Sequence, residues 1–148
     1  MSLTADRYAI VIGRFYEDLA LRLIEGARRA YSAAGITDDK IDVFDVPGAF
    51  ELPLAAKYCA DSGRYRGVAC LGAVIRGETD HYDFVCSEAA RGIQDVQLAT
   101  GVPCAFGVLT VDNLDQALAR TGGGKRDQGE HAAQAVLAMA AMRDALAS

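Results

Sequence analysis

The sequence predicts an α/β protein, a three-layer α/β/α sandwich around a four-stranded parallel sheet in a single domain, residues 1–148. Three observations predict it. Four short segments, at 8–12, 41–46, 67–75 and 102–110, are mostly continuous apolar runs, as strands covered on both faces require. Segments with helical periodicity fill the gaps between them, and strands alternating with helices imply βαβ units with right-handed crossovers. The connections are short, and 148 residues is the usual size of one domain.

Each element has its own signal. Strand 8–12 leads to a helix on which Leu19, Leu23, Ala27, Ala30 and Ala34 recur every three or four residues, and Gly35 stops it. Strand 41–46 leads to a helix over 50–61, where Pro53 is acceptable only in the first turn. Strand 67–75 precedes a helix over 80–100 with Val85, Ala89, Gly92, Ile93 and Val96 on one face. Strand 102–110 carries Pro103, tolerated among a strand's first residues. A short helix over 112–120 and a long one over 127–147 complete the chain, the latter with Ala133, Val136, Leu137 and Ala140 inward. Asp127 with Glu130 three residues later predicts a capping box. The stretch 121–129, rich in glycine, reads as a flexible connection.

Composition narrows the function. The net charge of −5 argues against nucleic acid or an anionic membrane as the main partner. No run approaches the ~18 apolar residues of a membrane span, and no signal-peptide core precedes the first strand, so a cytoplasmic protein is expected. Cys59, Cys70, Cys86 and Cys104 lack the C-x-x-C spacing of zinc or redox sites and read as small apolar side chains in a reducing compartment.

The polar chemistry gathers where strands end. In open α/β sheets, ligands sit beyond the carboxyl ends of the strands. Strand 67–75 ends at Arg76-Gly77-Glu78-Thr79-Asp80-His81. Gly77 permits close backbone approach, and the helix that follows turns its free N–H groups toward the crevice, which suits phosphate. His81 in the first turn could move protons near neutral pH. These residues are equally compatible with a solvated helix start. The segment Val46-Pro-Gly-Ala-Phe-Glu-Leu-Pro53 opens at the same edge. Its Phe50 either staples onto its own helix or stacks on a flat ring. Phe15 is a second aromatic at that edge, and Arg120 and Lys125 are candidate phosphate partners or ordinary helix-end cations. A P-loop is absent.

Four strings in order, GRF at 13–15, VPGAFELP at 46–53, LGAVIRGETDHYDFVCSEAARGI at 71–93 and TGVPCAFGVLTVDNLDQALAR at 100–120, closely resemble the lumazine synthase family. The resemblance runs in register over roughly residues 8–142. It implies a flavodoxin-like topology and condensation of 5-amino-6-(D-ribitylamino)uracil with 3,4-dihydroxy-2-butanone 4-phosphate, with no cofactor and no metal. Carried over by position, Phe15 stacks on the pyrimidine, and Ala49, Phe50, Glu51, Ala73, Val74 and Ile75 contact the ribitylamino-uracil. Glu78 and Thr79 hold the butanone phosphate. His81 is the acid/base. Phe106 and Arg120 reach into the site from a neighbouring subunit, Arg120 to the phosphate. The resemblance thus implies self-association into a pentamer.

The chain departs from the family pattern in places. Tyr16 follows the phenylalanine where asparagine is common, Gln128 stands where many members have lysine, and His131 stands where an acid often pairs with the catalytic histidine. GGGKRD replaces the frequent GTKAGN, and the segment before the first strand is short. Both changes lead us to expect no assembly of pentamers into capsids. The Gln128 and His131 changes also keep a second class open, a flavin- or lumazine-binding paralogue without turnover. A general flavodoxin-like module is a third.

Overall fold

The computed structural model describes residues 5–147. In chain order it contains β1 (Arg7–Gly13), α1 (Glu17–Ala33), β2 (Ile41–Val46), α2 (Leu52–Asp61), β3 (Tyr65–Ile75), α3 (Tyr82–Thr100), β4 (Cys104–Val111), α4 (Leu114–Ala119) and α5 (Gln128–Ala147). Single 3₁₀ turns at Asp38–Lys40 and Ala49–Glu51 lead into β2 and α2. The segment ahead of residue 5, on which part of the capsid expectation rests, lies outside the described residues.

The four strands form one parallel sheet in the order β2-β1-β3-β4. This is the flavodoxin-like order, in which the chain first moves to one side of β1 and then crosses to the other. The crossover opens a crevice at the carboxyl ends of β1 and β3. Helices cover both faces. On one, Leu23 and Tyr31 of α1 and Val136 of α5 pack on Ile10, Ile12, Leu71 and Leu109. On the other, Leu52 and Ala56 of α2 and Ile93 and Val96 of α3 pack on Val11, Val68, Cys70 and Val108. Burying each large aliphatic side chain contributes roughly 1.5–3 kcal/mol relative to exposure, which fixes the register of the central strands.

Several expectations are corrected. Strand β2 is not fully buried: only Ile41 is, and Phe44 is 40% exposed, because β2 is an edge with a single neighbour. Its Asp42 accepts hydrogen bonds from the Arg7 guanidinium at 2.6 Å and the Tyr65 hydroxyl at 2.7 Å. Strand β4 begins at Cys104, after Pro103, which has no N–H to give; the Pro103 carbonyl still accepts from the Val68 amide at 2.8 Å. Cys59, Cys70 and Cys104 are buried but Cys86 is half-buried; all four are free thiols. Burial pushes the three buried thiols up.

The connection 121–129 is anchored rather than loose. Arg22 of α1 donates to the Thr121 hydroxyl at 2.7 Å. The wholly buried Asp127 carboxylate accepts from the Arg29 guanidinium and the amides of Gly123 and Glu130, at 2.9, 2.6 and 2.9 Å. Asp127 therefore caps α5, but the capping box is only half formed, because the Glu130 side chain turns to Arg29 instead of the Asp127 amide. α1 and α5 pack backbone to backbone here: a Cβ on Gly129 would lie 2.2 Å from the Leu23 carbonyl oxygen.

Candidate active site

At the carboxyl ends of β1 and β3 lies a cleft of about 190 Å³. Phe15 and Tyr16, from the turn between β1 and α1, form one wall. Gly48, Ala49, Phe50 and Glu51, which follow β2, form the second. Ala73 and Val74 of β3 make the floor, and Thr79 and Val85 close the far side. Phe15 is 69% exposed and Phe50 56%, so both rings present apolar surface at the cleft. Phe50 borders the cleft. The segment after β2 is pressed into place by Gly13, where an added Cβ would lie 3.0 Å from the Gly48 carbonyl carbon.

The turn after β3 is tight. Gly77 takes φ +85°, a conformation that strains any side-chain-bearing residue. The Glu78 amide donates back to the Ile75 carbonyl at 3.2 Å. The Thr79 hydroxyl accepts from the His81 amide at 3.2 Å, so residues 79–81 stay in a turn and α3 begins at Tyr82, two residues later than the sequence predicts. His81 is therefore the N-cap residue rather than a first-turn residue, and its ring is exposed, with its centroid 6.5 Å from that of Phe84. The first bond across the helix start runs from the Val85 amide to the His81 carbonyl at 2.9 Å, so the amides of 82–84 have no acceptor on the helix. They lie at the positive end of the helix dipole, on the turn that adjoins the cleft at Thr79. Arg76 faces elsewhere: it donates to Asp112 at 3.0 Å and lies 4.3 Å over the Tyr82 ring.

The structure thus brings Phe15, Ala49, Phe50, Glu51, Ala73, Val74 and Thr79 together around one cleft, with Glu78 and His81 on the adjoining turn. It does not bring in the others. The Ile75 side chain is buried in the core beneath α1 and α5. Phe106 lies on the far edge strand β4, lining a groove of about 280 Å³ between α3 and α5 with Gln128 and His131. Arg120 ends α4, and Lys125 is exposed in the following connection; neither lines the cleft. Three cleft residues were absent from the predicted set. Gly48 sits inside the quoted PGAF segment. Val85 lies one helical turn beyond His81. Tyr16 follows Phe15 directly. Its hydroxyl donates to the Glu78 carboxylate at 2.7 Å, and its ring meets Phe15 edge-on at 4.9 Å. Burial, then the Glu78 carboxylate, pushes the Tyr16 hydroxyl up to about 12, so it remains a donor at neutral pH.

Fold and cleft define the class: a doubly wound α/β protein with a cleft at its topological switch point, walled by exposed aromatics on one side and by Thr79 and Val85 on the other, with His81 on the adjoining turn. The chain belongs to the 6,7-dimethyl-8-ribityllumazine synthase family, whose sequence profile matches residues 5–144. A curated relative from Ruthia magnifica subsp. Calyptogena magnifica, a 6,7-dimethyl-8-ribityllumazine synthase, is 43% identical over 142 residues, covering 93% of this chain and 85% of its own.

Proposed function

We propose that the protein condenses 5-amino-6-(D-ribitylamino)uracil with 3,4-dihydroxy-2-butanone 4-phosphate to 6,7-dimethyl-8-ribityllumazine, releasing phosphate and water, the penultimate step of riboflavin biosynthesis. The observation that carries this reading is the single cleft that gathers Phe15, Phe50, Ala73, Val74 and Thr79 from four separate parts of the chain. The pyrimidine stacks on Phe15. The ribityl chain runs along Ala49–Glu51 and the end of β3. The butanone phosphate sits at the Glu78–Thr79 turn, where amides and the helix dipole favour an anion.

Imine formation, phosphate elimination and ring closure are largely proton transfers between two bound partners. Holding the partners together is worth up to about 7–11 kcal/mol of barrier. His81 at the mouth of the cleft supplies acid/base help of about 10²–10⁴-fold. No redox step or metal enters this chemistry.

Phe106 and Arg120 lie away from the cleft of their own chain, so in this reading they complete the cleft of a second copy, Arg120 on the phosphate. Five copies in a cyclic ring give five such sites, because a heterologous interface repeats until it closes. The exposed apolar side chains of α3 and α5, including Phe84, Leu98 and Met139, supply surface for those contacts. A cytoplasmic location fits the free thiols and the absence, among the described residues, of a helix long and apolar enough to cross a membrane. Incubating purified protein with both substrates and following lumazine absorbance tests the reaction. Product at enzyme-like rates supports it, and tight ligand binding without product points to a binding paralogue instead.

A further inference from the structure

We propose that Tyr16 is a positioning residue for the phosphorylated substrate, acting by holding the Glu78 carboxylate away from the place the phosphate must occupy. The inference rests on the reading of the Glu78–Thr79 turn as the phosphate site. That turn presents a problem of charge. Its amides and the start of α3 favour an anion, yet it carries an exposed carboxylate of its own at Glu78 and another at Asp80. A free Glu78 side chain could swing over the amides and compete with a dianion for them, and like charges a few ångströms apart repel. Tyr16 removes that freedom. Its hydroxyl donates to Glu78 Oε1 at 2.7 Å across the cleft, from a residue 62 positions earlier in the chain.

The tether is itself well placed. Tyr16 is half-buried at the start of α1, packs against the core cluster under that helix, and is braced edge-on by Phe15 at an interplanar angle of 81°. The two aromatics therefore divide the wall: the Phe15 face stays open to a ring, and the Tyr16 hydroxyl fixes the charge opposite. The nearby cation Arg76 does not serve as the restraint, being committed to Asp112 and the Tyr82 ring. A side chain at position 16 without a hydroxyl, or too short to span the cleft, would leave Glu78 unheld.

The test combines Tyr16→Phe, Glu78→Gln and the double variant. Tyr16→Phe deletes only the hydroxyl. It is expected to raise KM for the butanone phosphate and the inorganic phosphate Kd by roughly threefold to twentyfold, with kcat and the pyrimidine KM nearly unchanged. Adding Glu78→Gln removes the competing carboxylate, so the double variant should bind inorganic phosphate more tightly than Tyr16→Phe does. A merely structural hydroxyl would lower Tm without this split and without rescue. Tyr16→Phe with unchanged phosphate affinity, or a double variant as weak as Tyr16→Phe, overturns the inference while wild-type turnover leaves the proposed function standing. Wild-type protein that neither forms lumazine nor binds inorganic phosphate overturns both.

Discussion

Phe15→Ala separates binding from folding more cleanly than any other single change at the cleft. The side chain is 69% exposed, so the fold gains little from it. A phenylalanine presents about 150–250 Å² of surface, which leaves on the order of 130 Å² of Phe15 in water. A flat pyrimidine covering one face removes about half of that, worth about 1.5 kcal/mol at roughly 25 cal/mol per Å². Ring-on-ring geometry adds roughly 0.5–1.5 kcal/mol. The substitution should therefore weaken the pyrimidine substrate by about 2–3 kcal/mol, roughly 30-fold to 150-fold in KM. Its cost to stability should stay under about 1 kcal/mol, a Tm change below about 4 °C. Steady-state kinetics with the pyrimidine varied, beside a thermal melt, reads both quantities. A pyrimidine KM within about threefold of wild type refutes stacking on Phe15. A Tm loss above about 10 °C refutes the claim that the ring is poised for ligand rather than packing.

Other residues answer to different readouts. His81→Ala should lower kcat by about 10–10³-fold with the melt unchanged, and unaltered kcat removes His81 from proton transfer. Arg120→Ala should raise KM for the butanone phosphate by about tenfold or more while leaving the pyrimidine KM in place; a flat phosphate response shows that Arg120 touches no phosphate. At the far end of the sheet, the Arg7 guanidinium and then the Tyr65 hydroxyl hold the Asp42 carboxyl at about 2, below its ordinary 3.8. A carboxylate depressed in the folded state stabilises above its unfolded value, so this contribution is present above pH about 4 and lost as pH falls toward about 2. Denaturant titrations across that window should show a decline that Asp42→Asn flattens, and parallel curves for the two proteins would exclude Asp42 as a source.

Much of this architecture is legible in the residues. Continuous apolar runs at 8–12 and 67–75 mark central strands because a strand covered on both faces has no polar side. The same rule misreads Ile41–Val46, where Asp42 and Asp45 interrupt the run because the strand is an edge; strand order is a tertiary fact that local pattern does not carry. The glycines after Thr121 suggest slack, but buried Asp127 and the reach of Arg22 and Arg29 from α1 pin the segment, and partners about a hundred residues apart leave no local signal. At the cleft, Phe15, Phe50 and Thr79 are readable because each follows a strand end. Tyr16 looks like a departure from the family pattern in one dimension, and only the fold shows its hydroxyl meeting Glu78.

The central claim is a cleft on one copy that works when a second copy supplies Phe106 and Arg120, and mixing two crippled variants tests it most directly. His81→Ala and Arg120→Ala protein, unfolded together and refolded at equal amounts, would form rings in which about a quarter of the interfaces pair an intact His81 with an intact Arg120. With the butanone phosphate held well below the wild-type KM, so that Arg120→Ala is slow on its own, lumazine formation by the mixture should then rise to about a quarter of the wild-type rate per chain, well above the mean of the two variants refolded alone. Activity that stays at that mean would contradict the account, since it would place both residues in the site of a single chain or remove one of them from the chemistry.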